Sequence, residues 1–258
     1  MRWANLTSED LDSLDKDRTV VILPVGSIEK HGPHLPLGTD GLAIEVVAME
    51  VAERTGAVVL PTLYYAYVPE NRHMLGTITL SGEAFLRILE EICDEVYRNG
   101  FKKILLLNGH GGNKRPLSLF LREMQAKGKR YNLYILLDPW EVIHEKIREV
   151  AETDVWGHAG EVETSYMMYL FPDLCKLERV KRPAKLGVEK VVEGVEAMTD
   201  WVGYAIEGYV GDPRKANVEK GKALFEAWVK GLVEIVEKIK RDELYDKILD
   251  EYYSKIRH

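Results

Sequence analysis

Short β-branched apolar runs alternate along the chain with stretches in which apolar residues recur every three or four positions. The run over 19–25 ends at Gly26 and has the unbroken apolar character of a strand buried on both faces. Leu42, Val46, Met49 and Ala52 then mark a helix over 41–55 that stops at Gly56. A second strand is expected over 57–60. Ser81, with Glu83 in the first turn, caps a helix that ends at Asn99 and Gly100. Residues 103–107 read as a third strand, broken by the run Asn108, Gly109, His110, Gly111, Gly112, Asn113. A helix over 116–127 and a fourth strand over 133–137 follow. Pro139 opens a helix to about 150, 161–170 is helical, and 217–240 is a long amphipathic helix with a charged continuation.

This alternation predicts an α/β fold, a mostly parallel sheet with helices on both faces. No Pro/Gly/Ser-rich linker or internal repeat divides the 258 residues, so a single domain over 1–258 is expected. The stretch 178–212 is the least regular and reads as an insertion or a lid.

Composition narrows the function classes. Hydrophobic residues make up 46% and charged residues 30%, which excludes a disordered or fibrous chain. No apolar run approaches the ~18 residues needed to span a bilayer. A net charge of −7 without a basic cluster argues against nucleic acid or an anionic membrane as partner. The first residues are polar and acidic rather than a secretory signal, so a cytoplasmic protein is expected. Cys93 and Cys175 are isolated and read as reduced, mostly buried thiols. A single glutamine, Gln125, among many Lys and Glu leans towards a thermophilic source.

In a parallel α/β sheet, ligands bind beyond the carboxyl ends of the strands. Polar clusters stand at two such ends: Glu29, His31, His34 and Asp40 after the first strand, and Asn108, His110 and Asn113 after the third. A further cluster, His158, Glu161 and Glu163, opens a later helix. Glu29 and His31 are two apart and point the same way in extended backbone, while Pro33 and Pro36 stiffen the loop that returns at Asp40. A mixed Glu/Asp/His set suits Zn²⁺, Mn²⁺ or Fe²⁺, and an aspartate is able to bridge two cations. His34 is either a ligand or a loop hydrogen-bonder. Asn108 and Asn113 stabilise the glycine turn or orient ligands. Glu161 and Glu163, two apart in a helix, cannot both face the site, and either is also a favourable helix-dipole partner. A phosphate nest at 109–112 ranks lower because no GK[ST] follows. There is no GxSxG elbow, and Ser27 reads as structural.

The blocks 26–40, 108–113 and 158–165, with weaker likenesses at 71–77 and 211–213, resemble the creatininase (creatinine amidohydrolase) family of metal-dependent amidohydrolases. The resemblance implies a three-layer αβα sandwich with a mostly parallel central sheet. It also implies two divalent metal ions (Zn, Mn or Fe) and a homohexamer built as a trimer of dimers. Carried over by position, Glu29 binds one metal, His31 the other, Asp40 bridges, His110 adds a ligand and Glu163 is the distal carboxylate. His158 becomes the catalytic acid/base, with Glu163 beside it. His73, Trp156, Gly111 and Gly112 become substrate contacts, and His34, Asn108 and Asn113 support the ligands. Creatininase itself carries a glutamate shortly after the histidine of the second block; this chain has Gly111 and Gly112 there, so creatinine is the less supported substrate. Leu75 also stands where many relatives have proline.

Three substrate readings follow. The first is a cyclic or small linear amide. The second is a formamide, as in the formylaminopyrimidine ribonucleotide deformylase, for which Lys114, Arg115 or Arg72 would meet the phosphate. The third is a modified peptide. A metal-binding scaffold without activity is disfavoured because the ligand residues and His158 are all present.

Overall fold

The computed structural model describes residues 1–256. Strands β1 (Val20–Val25), β2 (Val58–Val59), β3 (Lys103–Asn108) and β4 (Asn132–Leu136) form one all-parallel sheet in the order β2-β1-β3-β4. Val21 sits opposite Val58 on one side and Ile104 on the other, and Ile104 opposite Leu133. The helices are α1 (Ser8–Asp12), α2 (Thr39–Thr55), α3 (Gly82–Arg98), α4 (Lys114–Ala126), α5 (His144–Val150), α6 (Glu161–Leu170), α7 (Asp200–Tyr204), α8 (Val218–Arg241) and α9 (Leu244–Ser254). None of them is long and apolar enough to cross a membrane.

The two-residue repeat of a strand sends alternate side chains to opposite faces. Val20, Ile22, Leu105 and Leu107 therefore join one core with α2, α6 and α8. Val21, Leu23, Val25, Ile104 and Leu106 join a second core with α3 and α4. The result is the expected αβα sandwich.

Pro24 lies inside β1, a position that normally lacks one ladder bond. The Pro24 carbonyl accepts from Leu63 N (2.9 Å), so its missing N–H also points towards the β2 side. There β2 has already ended at Val59, and the omission leaves the β1–β3 ladder whole. The end of β1 then meets the first turn of α2 backbone to backbone. A Cβ on Gly26 would lie 2.4 Å from the Gly41 Cα. That contact brings the start of α2, and Asp40 with it, over the carboxyl end of β1.

Several boundaries differ from the sequence reading. The second strand shrinks to two paired residues, and the helix opened by Pro139 is a 3-10 turn (Glu141–Ile143) running into α5. Asp138 explains the late start, because its carboxylate accepts from Trp140 N (3.0 Å) and holds a turn before the helix. The charged continuation breaks at Asp242, which accepts from Leu244 N (2.9 Å) and starts α9 in a new direction. Tyr245 on α9 reaches β4, its hydroxyl meeting Leu133 N (3.3 Å) and covering part of the sheet edge. Buried Lys103 is satisfied by the last carbonyls of α8, donating to Lys240 O (2.8 Å) and Asp242 O (3.0 Å).

Leu106 is wholly buried at the centre of the second core. Leu106→Ala is expected to cost about 3 kcal/mol, within the range for leucine truncation in a packed core. Urea unfolding should show a lower midpoint with an unchanged slope.

Candidate metal centre

Asp40 arrives in the first turn of α2, and its two carboxylate oxygens face histidines from two different strand ends. Oδ1 lies 3.0 Å from His31 Nε2, and Oδ2 lies 2.9 Å from His110 Nδ1. Glu163 Oε2 approaches the same His31 nitrogen at 3.5 Å, and Glu29 Oε2 the same His110 nitrogen at 3.0 Å. The groups His31/Asp40/Glu163, Glu29/Glu70/His110 and Glu29/His31/His158 each bring ligand atoms together, and Asp40 joins the first two by facing His31 and His110. Close approach at this point depends on Gly109, where a Cβ would fall 2.8 Å from the Asp40 carbonyl oxygen and 2.9 Å from Ile44 Cβ.

Electrostatics describe a cluster built for cations. Glu29, Asp40 and Glu163 are all buried, and among the described residues none pairs with a lysine or arginine. Burial alone would lower the His31 imidazole, but Asp40, Glu163 and Glu29 outweigh it and hold it up at about 10. His110 is raised well above its ordinary value in the same way, by Glu29 and Asp40 against burial. Burial would raise the Glu29 carboxyl, yet His110, His158 and His31 hold it at about 2. Asp40 is likewise depressed, by His31 and His110. Glu163 alone goes up, to about 8, because burial and the neighbouring carboxylates exceed the pull of His31. Buried carboxylates of this kind are stable only when neutralised or bound to metal. The N/O donor set matches Zn²⁺, Mn²⁺ or Fe²⁺.

Surrounding groups fix the ring orientations. His31 Nδ1 lies 3.0 Å from the Glu29 carbonyl, which requires a proton on that nitrogen and leaves Nε2 directed at Asp40 and Glu163. Ser27 Oγ donates to Asp40 Oδ2 (2.7 Å), and Asn71 Nδ2 donates to Glu29 Oε1. Asn108 donates to the His110 and Leu137 carbonyls (both 2.8 Å) and accepts from His110 N (3.1 Å). Asn113 spans to Gly26 O (3.2 Å), so the glycine turn is tied to the end of β1. His34 bonds Thr164 Oγ1 (2.8 Å), and burial together with His31 and His158 lowers it to about 4. It is a neutral, loop-holding residue in this arrangement.

The α6 carboxylates part company as their spacing requires. Glu163 turns to His31 and accepts from Ala159 N (2.6 Å). Glu161 turns away, accepting from Glu152 N, Thr153 N, Thr153 Oγ1 and Lys220 Nζ. His158 packs against His31 with ring centroids 4.3 Å apart and planes tilted by 43°, and its Nε2 donates to the Lys30 carbonyl (2.9 Å). Burial lowers its pKa, leaving a neutral ring. Ala159 beside it has a φ of 47°, a left-handed conformation that costs a non-glycine residue about 1–2 kcal/mol.

His73 is exposed, and Trp156 packs against Trp140 (5.7 Å) and His144 (6.3 Å) rather than over the histidine cluster. Gly111 and Gly112 form the 3-10 turn that leads into α4. Lys114 pairs with Asp138 (2.5 Å) and Arg115 with Glu196, so both cations are already engaged. Trp201 from the irregular segment takes the position edge-on to His158, at 5.6 Å. Trp201, Ser27, Glu70 and Asn71 are site neighbours that the sequence reading did not assign to the centre. Only the proximity of Ser27 and the likeness beginning at Asn71 could have signalled them.

The family description Creatininase (creatinine amidohydrolase) matches residues 4–236. The chain is 31% identical to creatinine amidohydrolase of Pseudomonas putida, over 84% of this chain and 88% of that one. It is 30% identical to 3-dehydro-scyllo-inosose hydrolase of Thermotoga maritima, over 93% and 82%. A 2-amino-5-formylamino-6-ribosylaminopyrimidin-4(3H)-one 5'-monophosphate deformylase of Methanothermobacter thermautotrophicus is 38% identical, but over only 43% of this chain and 45% of that one. The crystal structure of creatinine amidohydrolase superposes with a TM-score of 0.79 at 28% identity, covering 93% of this chain and 98% of that one. Similar solved creatininases include a manganese form (TM-score 0.76, 27% identity, 93% and 99% covered). A mutant of Zn-Zn type is also similar (TM-score 0.79, 28% identity, 93% and 98% covered).

The Glu161–Lys220 pair anchors the loop that carries His158. Burial raises the Glu161 carboxyl, but Lys220 and the Thr153 and Glu152 donors outweigh it and the net shift is downward. A depressed carboxyl contributes stability above its unfolded value, and that contribution is lost as pH falls through the folded value. Lys220→Met should therefore cost about 3 kcal/mol near neutral pH, as for a broken buried pair. The difference from wild type should shrink as acidification passes through the depressed Glu161 value and that carboxylate protonates. Urea midpoints across pH check this.

Proposed function

Because the chain belongs to the creatininase (creatinine amidohydrolase) family, we propose that it is a binuclear metal-dependent hydrolase of a small, non-peptide C–N bond. The observation that carries this reading is the Asp40 carboxylate, whose two oxygens face His31 and His110 separately in a buried cluster without lysine or arginine counter-charges. His31, Asp40 and Glu163 would hold one cation, and Glu29, Asp40 and His110 the other. Divalent cations held there would lower the pKa of a water towards neutrality and would polarise an amide carbonyl.

The chain's own residues account for the remaining requirements. His158, neutral and with Nε2 3.9 Å from Glu29 Oε1, would take up the proton released by the attacking water and pass that proton to the departing nitrogen, ending neutral as it began. Its neutral state at physiological pH follows from burial, and the Lys30 carbonyl holds the tautomer. Trp201 closes the outer side of His158 and keeps bulk water from the ring. That cover, with the depth of the cluster, favours a small substrate over a peptide. Homohexamer formation is carried over from the family as part of this reading, supported by exposed Val188, Val191, Val192, Val195 and Met198 on the covering segment.

Formamide hydrolysis is the second reading, favoured by the partial likeness to the deformylase. With Lys114 and Arg115 engaged, Arg72 next to Asn71 is the cation left to meet a phosphate.

Purified protein loaded with Zn, Mn or Fe should be offered creatinine, the formylaminopyrimidine nucleotide and a panel of small formamides and cyclic amides. Turnover of a cyclic amide supports the first reading, and formate release without it supports the second. Hydrolysis of none of them, in enzyme carrying metal, contradicts the proposal. His158→Ala should lower kcat by about 10²–10⁴-fold, the usual contribution of a general acid, at unchanged metal content.

A further inference from the structure

The two histidines of the centre are held differently on their outer sides. His31 presents Nε2 to carboxylates and ties Nδ1 to the Glu29 carbonyl at 3.0 Å. His110 is reversed: Nδ1 faces Glu29 and Asp40, and Nε2 faces outwards. Among the described residues that Nε2 is buried without an aligned hydrogen-bond partner, an expensive state for an imidazole nitrogen. One carboxylate stands opposite it. Glu70 Oε1, on the 3-10 turn Pro69–Asn71, lies 3.3 Å away, and its side chain is 22% exposed.

The turn that carries Glu70 is itself fastened to the centre. Its next residue, Asn71, is buried and donates to Glu29 Oε1. The space Glu70 occupies exists because residue 112 is glycine. A Cβ there would fall 2.1 Å from Glu70 Oε1 and 2.5 Å from His110 Nε2, whereas a Cβ on Gly111 meets nothing within 4 Å.

We propose that Glu70 is the positioning residue of the His110 half of the centre, accepting the His110 Nε2 proton so that Nδ1 is presented to the cation. It does for His110 what the Glu29 carbonyl does for His31. Carboxylates placed behind a ligating imidazole fix its tautomer and raise its basicity, and their removal typically weakens metal binding about 10–100-fold. Gly112 is then a determinant of this arrangement, because any larger residue pushes the flexible Glu70 carboxylate off the ring.

This inference rests on the metal reading above, and Zn²⁺ titration of the metal-free full chain against a chelator separates the two. Wild type should bind two equivalents; binding of none would defeat both. With two in wild type, Glu70→Ala should weaken one equivalent about 10–100-fold and leave the other unchanged. Glu70→Gln keeps a carbonyl acceptor and should restore most of the loss, which a direct ligand role would not allow. Gly112→Ala should reproduce Glu70→Ala, and Gly111→Ala should keep both affinities. Equal weakening of both equivalents, a Gln variant as poor as Ala, or wild-type affinity in Glu70→Ala would each overturn the assignment while leaving the binuclear reading intact. Thermal melts of each metal-free variant identify any that fails to fold, and the near-isosteric Glu70→Gln then serves as the independent test.

Discussion

One carboxylate organises this protein: Asp40, with an oxygen turned to each of two histidines that come from different strands. The fold appears around it as a set of distance requirements. α2 has to begin within reach of the end of β1, which the Gly26–Gly41 backbone contact allows. The loop after β3 has to pass beside the same turn, which Gly109 allows. A side chain at either glycine would push the two halves of the site apart before any ligand was involved.

The second consequence is electrostatic. Three carboxylates buried this deeply, with histidines as their only positive neighbours among the described residues, form a region that needs cationic charge to be stable. The perturbed histidines show where that demand is concentrated: His31 and His110 are pulled upwards by the carboxylates, while His34 and His158 are pushed down by burial. The same field thus divides four histidines into two that face the carboxylates and two neutral ones at the margin. Backbone strain at Ala159 sits between the marginal His158 and Glu163, where the chain must turn to present both.

Much of this was legible in the sequence because short-range rules carry it. Strand runs, the capped helix starts and the glycine stops placed the elements, and the two-residue spacing of Glu29 and His31 placed both at one strand end. The spacing of Glu161 and Glu163 predicted that they diverge, though not which of them turns inward; Lys220, 59 residues along the chain from Glu161, decides that. Glu70 and Trp201 were not legible, since they reach the site from a 3-10 turn and the five-residue helix α7, whose positions depend on tertiary packing. Trp156 is near His158 in sequence, and its ring packs on Trp140 and His144.

Relatives similar to this chain in sequence bear names that include creatinine amidohydrolase, an inosose hydrolase and, over less than half of its length, a formylaminopyrimidine deformylase. Residues around the carboxylate–histidine cluster, such as Trp201 and Arg72 here, are therefore the place to look for substrate choice. The cluster itself is the central claim, and anomalous diffraction from crystals of the zinc-loaded protein tests it most directly. Two zinc peaks are expected on either side of the Asp40 carboxylate, one against His31 and Glu163 and the other against Glu29 and His110. A single peak, or zinc bound away from Asp40, would contradict that claim.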